Sequence, residues 1–269
     1  MKNRSIILCA LVAALAAAPL WAAPELPVGT LVKTDGGRVT GRLRWKNAAK
    51  EYEVTLEKGS TIVPGTDVDT VEIPRPASLD AAIKGVQAGG GQIAKATAAL
   101  EDIVKSYNHL TWDREAARWL AEGHIRQGNP GKAISVCEAI IRDAPEAAYM
   151  GNMAVAYWRA LTKDGKSAKL TPLLEKAIAS GDKDSAAAAL VARGNAIMER
   201  GSARVNSEEA LRDGYLRVIL LYADPDGEAY PEALYMGAKA FDGMSQGARA
   251  NKLREKLKSE CRNSEWARK

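Results

Sequence analysis

Residues 112–145 read WDREAARWLAEGHIRQGNPGKAISVCEAIIRDAP, and this stretch decides the fold. Ala116, Leu120 and His124 fall on one helical face. Gly128-Asn129 breaks the pattern, and Pro130 suits the first position of a second helix. Val136, Cys137 and Ile140 then make that helix apolar on one side. Ala147-Ala148-Tyr149-Met150 and Pro231-Glu232-Ala233-Leu234-Tyr235 open comparable units further along. A spacing near 34 residues marks helix-pair arrays, in which no pair buries its apolar face alone.

Extending that reading along the chain gives five pairs. They are 79–88 with 92–107, 112–127 with 130–142, 147–161 with 171–179, 184–200 with 207–222, and 231–244 with 248–261. Ser78 is a plausible N-cap for the first, and Pro172, like Pro130, suits a helix start. Upstream of Pro74-Arg75-Pro76 the periodicity changes to two. Residues 30–33, 38–45, 51–56, 61–63 and 68–73 read as short strands, with a hairpin signal at Asp35-Gly36-Gly37. The strand count and turn spacing resemble a small SH3-like or Sm-like barrel. The expected class is therefore mainly α: an α-solenoid of about five helix pairs over 77–269, preceded by a small β-barrel-like meander over 24–76.

The first 23 residues read as an address. Lys2 and Arg4 precede an apolar run from Ile6 to Leu20, and Trp21-Ala22-Ala23 offers small residues for cleavage. Export through a signal peptide follows, to the periplasm or beyond; a membrane span is the alternative if the segment stays uncleaved. Losing Lys2 and Arg4 lowers the formal net charge from +5 to +3. The β region carries eight basic and eight acidic residues, which argues against the net basic footprint that nucleic acid requires. The stripe Arg38, Arg42, Arg44 and Lys46 reads as a solvated strand face, or as a patch for an anionic envelope polymer. Two cysteines remain after the leader, Cys137 and Cys261, in different helix pairs; they read as unpaired thiols.

Catalytic signals are sparse. Residues 160–167 (ALTKDGKS) fit a relaxed phosphate-loop pattern, but a helix precedes them where that loop needs a strand. His109 and His124 are the only histidines, and no HxxxH or CxxC spacing exists. His124 reads as a packed core residue and Cys137 as a buried, inert one. No catalytic residue, metal ligand or cofactor is expected.

Trp119-Leu120-Ala121, Gly128, Ala133 and Pro145 resemble the large apolar, turn, small and closing positions of the tetratricopeptide-repeat family. Leu234, Ala238, Phe241, Ala250 and Leu257 match it in the fifth pair. The resemblance spans about residues 79–269, with departures at His124, Cys137 and Cys261-Arg262. The stretch from Glu209 to Lys269 is similar to repeats of bacterial envelope proteins, among them outer-membrane assembly lipoproteins and periplasmic cell-division coordinators. The resemblance implies a non-enzymatic scaffold or adaptor that holds a protein partner in the cell envelope. The alternative is a carbohydrate- or peptidoglycan-associated module that grips polymer with its β unit. In such arrays the first helices line a concave groove. Turning each helix to bury its apolar residues leaves Arg118, Glu122 and Arg126 facing that groove. Trp158 and Arg159, Asn195, and Tyr235 and Lys239 are the corresponding positions of the third, fourth and fifth pairs. Trp158 has two readings, an exposed groove anchor or a residue packed under the turn at Lys163–Lys166.

Overall fold

The period-two segment folds into a five-stranded antiparallel sheet: β1 (Val28–Lys33), β2 (Arg38–Lys46), β3 (Glu51–Thr55), β4 (Ser60–Pro64) and β5 (Val68–Glu72), ordered β4-β3-β2-β1-β5. These strands come from a computed structural model that describes residues 26–201 and 204–269, so the segment read above as an export signal lies outside the described residues. Alternation sets the two faces. Leu43 points inward to join Leu31, Tyr52, Val54, Val63 and Ile73 in an apolar core. Arg38, Thr40, Arg42 and Arg44 point out to solvent. The sheet does not close its core alone. Leu110, from the connection between the second and third helices, completes it, and Tyr107 and Trp112 pack alongside. Trp112 Nε1 donates to the Ile73 carbonyl at 3.0 Å, and Thr111 Oγ1 to that of Val71 at 2.6 Å.

The rest of the described chain is helical: α1 (Ala77–Ala88), α2 (Ile93–Ser106), α3 (Asp113–Arg126), α4 (Pro130–Asp143), α5 (Gly151–Lys163), α6 (Ser167–Ala179), α7 (Lys183–Met198), α8 (Arg204–Ala210), α9 (Leu216–Leu221), α10 (Ala229–Gly243) and α11 (Gly247–Glu260). The molecule is thus mainly helical with a small antiparallel sheet at one end of the sequence, as its periodicities predict. Each helix packs on the next, except that α8 and α9 are joined through the turn between them. In addition α1 packs on α3, α3 on α5, α5 on α7 and α7 on α10. The first helix of each pair therefore touches the first helix of the next. Gly128, with φ +74°, turns α3 into α4, and Asn129 N–H donates back to the His124 carbonyl at 2.8 Å.

Four local readings need correction. Ser78 does not cap the first helix: α1 begins at Ala77, behind Pro76, with no side-chain cap. The third pair does not open at Ala147. Pro145–Ala148 form a single 3-10 turn, Met150 is extended (φ −132°, ψ 144°), and α5 begins only at Gly151. Pro172 does not start α6, which begins one turn earlier at Ser167. The exposed Pro172 forfeits one backbone bond, while Leu170, Leu174 and Ala177 bury the opposite face. The second helix of the fourth pair is not continuous. A π-helical turn, Leu211–Tyr215, separates α8 from α9. There the backbone of Gly214 lies against α7 so closely that a Cβ on it would sit 2.9 Å from Gly194 Cα. Two glycines meeting backbone to backbone permit this crossing, which a side chain on either would block.

The residues resembling a phosphate loop form the α5–α6 turn, with Lys166 N–H donating to the Leu161 carbonyl at 2.9 Å. Cys137 and Cys261 are free and both buried; burial pushes the Cys137 thiol up to about 12, helped by the charge of Glu138.

Candidate functional site

Turning the α3 stripe of Ala116, Ala117, Leu120 and Ala121 inward leaves Arg118, Glu122 and Arg126 on the adjacent face, one turn apart. They line the wall of a groove, and Arg159 of α5, Asn195 of α7 and Lys239 of α10 line it further along. Cavities of about 310 and 440 Å³ lie along it, and a third of about 530 Å³ continues past Arg159 and Asn195 towards the loop before α10. Six of the eight sequence-predicted positions are thus brought to one surface.

The other two behave differently. Trp158 is fully buried and is not a groove residue. Its indole N–H donates to the Ala148 carbonyl at 2.9 Å. The 3-10 turn before α5 folds back over the helix and presents that carbonyl. That turn therefore covers the indole. Tyr235 is half-buried at the groove's edge, with its ring centroid 5.2 Å from that of Trp266.

Polar contacts join the groove residues into a ladder through all five pairs. Tyr215, at the end of the π turn, donates its hydroxyl to Asn195 Oδ1 at 2.8 Å. Asn195 Nδ2 donates to Glu232 Oε1 at 2.9 Å, and Arg159 Nη2 donates to Glu232 Oε2 at 2.9 Å. Arg159 Nη1 lies 3.7 Å from Glu122 Oε2, and Arg126 Nε donates to Glu122 Oε1 at 3.0 Å. Arg126 Nη1 finally donates to the Val86 and Gln87 carbonyls at 3.1 and 3.3 Å. Those two belong to the unpaired carbonyls that end α1, where a cation is favoured. Across the groove mouth, Arg118 of α3 reaches Glu228 in the loop before α10 at 3.2 Å.

Glu232 is the hub, and it is only 6% exposed. Both of its oxygens are bonded, as a buried carboxylate requires. Desolvation works against the charge on Arg159, but the attraction of Glu232, Glu122 and Glu228 together outweighs it and holds the guanidinium above its ordinary pKa. Burial, reinforced by Glu232 and Glu199, pushes Tyr215 well up, so it remains a neutral donor. Such a ladder offers fixed charges and hydrogen-bonding groups to a ligand. No nucleophile with an adjacent base emerges from it. Among the described residues no group of three or more His, Cys, Asp or Glu side chains is placed to hold a metal ion.

Sequence reasoning missed Glu232, Tyr215, Glu228 and Trp266. Glu232 stands among Pro231, Ala233 and Leu234 in the first turn of α10, a place where an acidic residue is expected on dipole grounds alone. Its partner Arg159 lies 73 residues away, and no local pattern joins them. His124 is buried as expected, 3.7 Å from Glu101 Oε1 through Nε2, while its Nδ1 has no hydrogen-bond partner.

No family model, curated protein or solved structure matches the chain.

Proposed function

We propose that the protein is a non-enzymatic, exported scaffold of the tetratricopeptide-like kind that holds a protein partner in its concave groove within the cell envelope. The observation that carries this reading is the convergence of Arg118, Glu122, Arg126, Arg159, Asn195 and Lys239 on one continuous surface. They come from four successive helix pairs and are presented by first helices that pack on one another. Arginine with aromatic neighbours is the composition that dominates interface energetics, and Trp119 and Trp266 stand beside these charges. The export leader argued from Lys2, Arg4 and the apolar run supplies the compartment.

The test uses Arg118→Ala combined with Lys239→Ala. Neither side chain supports a core cluster, so the thermal melt should stay within a few degrees. Recovery of the partner from envelope extract on the immobilised chain should fall at least tenfold. Undiminished recovery with an intact fold removes the groove from the account and leaves the outer β face as the site to examine.

A further inference from the structure

The groove already holds a segment of its own chain. After α11, residues 263–269 cross its mouth, and Glu265–Arg268 form a single 3-10 turn that packs on α10 and α11. Glu265 and Trp266 line both the 310 Å³ and the 440 Å³ cavities, together with Glu122, Arg126, Arg159 and Glu232. The strap therefore divides one groove in two.

Its attachment is selective. The hydrogen bonds of residues 263–269 stay local. Ser264 Oγ accepts from Trp266 N–H at 3.1 Å, Arg268 reaches the Asn263 carbonyl at 3.5 Å, and Ser264 N–H donates to the Cys261 carbonyl at 3.0 Å. Lys269 pairs with Glu265 at 3.9 Å, within the strap again. Among the described residues, no hydrogen bond or ion pair ties the strap to the Glu122–Arg159–Glu232 ladder behind it. What holds it is ring contact. Trp266 stands against Tyr235, Lys269 Nζ lies 5.9 Å from the centroid of the Tyr235 ring, and Ala267 joins the small cluster of Tyr230, Leu234, Leu257 and Cys261. Lys239 lies on the Tyr235 ring as well, at 5.8 Å. A cation over an aromatic ring is a real but modest attraction. The segment is seated in the groove without using the groove's polar groups.

We infer that the strap is exchangeable, and that the groove's partner carries a tryptophan beside a lysine or arginine in a short turn, which takes the Tyr235 platform from Trp266. Such a partner gains what the strap does not use, the ladder and the two flanking cavities. This rests on the groove reading proposed above and names the chemistry the groove selects.

Competition measures it. The tether from Cys261 is short, and tethering of this kind gives an effective concentration on the order of millimolar. A free peptide must compete against that in the intact chain. The probe is the labelled octapeptide Arg-Asn-Ser-Glu-Trp-Ala-Arg-Lys, the sequence of residues 262–269, followed by fluorescence anisotropy with full-length protein. It should bind the Trp266→Ala chain at least tenfold more tightly than the intact chain. The added change Tyr235→Ala should abolish that binding, and a peptide with alanine for tryptophan should not bind. Lys269→Ala, which leaves every apolar strap contact in place, should move affinity the same way by a smaller factor. Equal binding to the intact and Trp266→Ala chains, no binding to Trp266→Ala with an unchanged melt, or binding that survives loss of Tyr235 would overturn the inference. None of these outcomes depends on capture by the Arg118 and Lys239 variant, so the strap and the groove can fail separately.

Discussion

Trp158 and Arg159 are neighbours on α5, and they live in opposite environments. Adjacent helical residues point about 100° apart. Trp158 turns into a seam of apolar side chains with Tyr157, Cys137, Leu161 and Leu170. Arg159 turns into the ladder with Glu232 and Glu122. The seam between helices of a pair, and between pairs, buries area and is satisfied by packing. The groove face is satisfied by charge and hydrogen bonds. The comparison teaches that the helical region separates its work by face: apolar burial holds helices together, and polar groups line the groove in a fixed arrangement. Buried ion pairs are weak contributors to net stability, so the ladder adds little to what apolar burial supplies.

The hardest way to break the comparison is on the apolar side. Trp158→Ala removes a fully buried indole and orphans the Ala148 carbonyl; the expected loss is about 3–5 kcal/mol. A thermal melt should fall by roughly 10 °C or more. A melt unchanged within two degrees would mean the indole is not buried as described.

The ladder should respond differently. Glu232→Ala leaves Arg159 without its main partner. Arg159 keeps about a third of its side chain in contact with solvent, so we expect about 2 kcal/mol, less than for a fully buried pair. Replacing both residues by methionine should recover most of that loss, because no unpaired charge remains. Urea titrations of the two single variants and the double variant decide this. A double variant as unstable as the sum of the singles would show that the ladder is structural after all.

A smaller effect should appear only in acid. Burial lowers the His124 pKa below its ordinary value of 6.5, the nearby charge of Glu101 offsetting part of this. Protons then bind the unfolded chain more readily than the folded one. The stability this site contributes is therefore complete above about pH 6.5 and declines as pH falls through the folded-state value. His124→Phe should flatten that part of the stability profile. An identical acid slope in both proteins would remove His124 from the acid response. The smallest effect is expected at the sheet's outer face, where the Arg38–Glu72 pair is half-exposed on both sides. Arg38→Ala should cost less than about 1 kcal/mol.

Much of this architecture was legible in the sequence. The Gly128-Asn129-Pro130 run marks the α3–α4 turn, and alternation through Arg38–Trp45 marks β2 with its faces correctly assigned. Helical spacing also gave the inward stripe of α3, and hence Arg118, Glu122 and Arg126. What it could not give depended on contacts distant in sequence. Trp158 was ambiguous because spacing cannot see a 3-10 turn folding back to offer a carbonyl. Glu232 was hidden because its charge is matched by Arg159, far away along the chain. The π turn was hidden because Gly194 and Gly214 carry meaning only once α7 and the following helix cross.

The central claim is that the partner is held on the concave face, and site-specific photocrosslinking tests it most directly. A photoreactive residue is placed in turn at Arg126 and Lys239 in the groove, at Glu175 on the exposed side of α6, and at Arg42 on the outer face of the sheet. Each full-length protein is then irradiated in envelope extract. The account expects one shared adduct from Arg126 and Lys239 and none from Glu175 or Arg42. An adduct that forms from Glu175 or Arg42, and not from the groove positions, would contradict it.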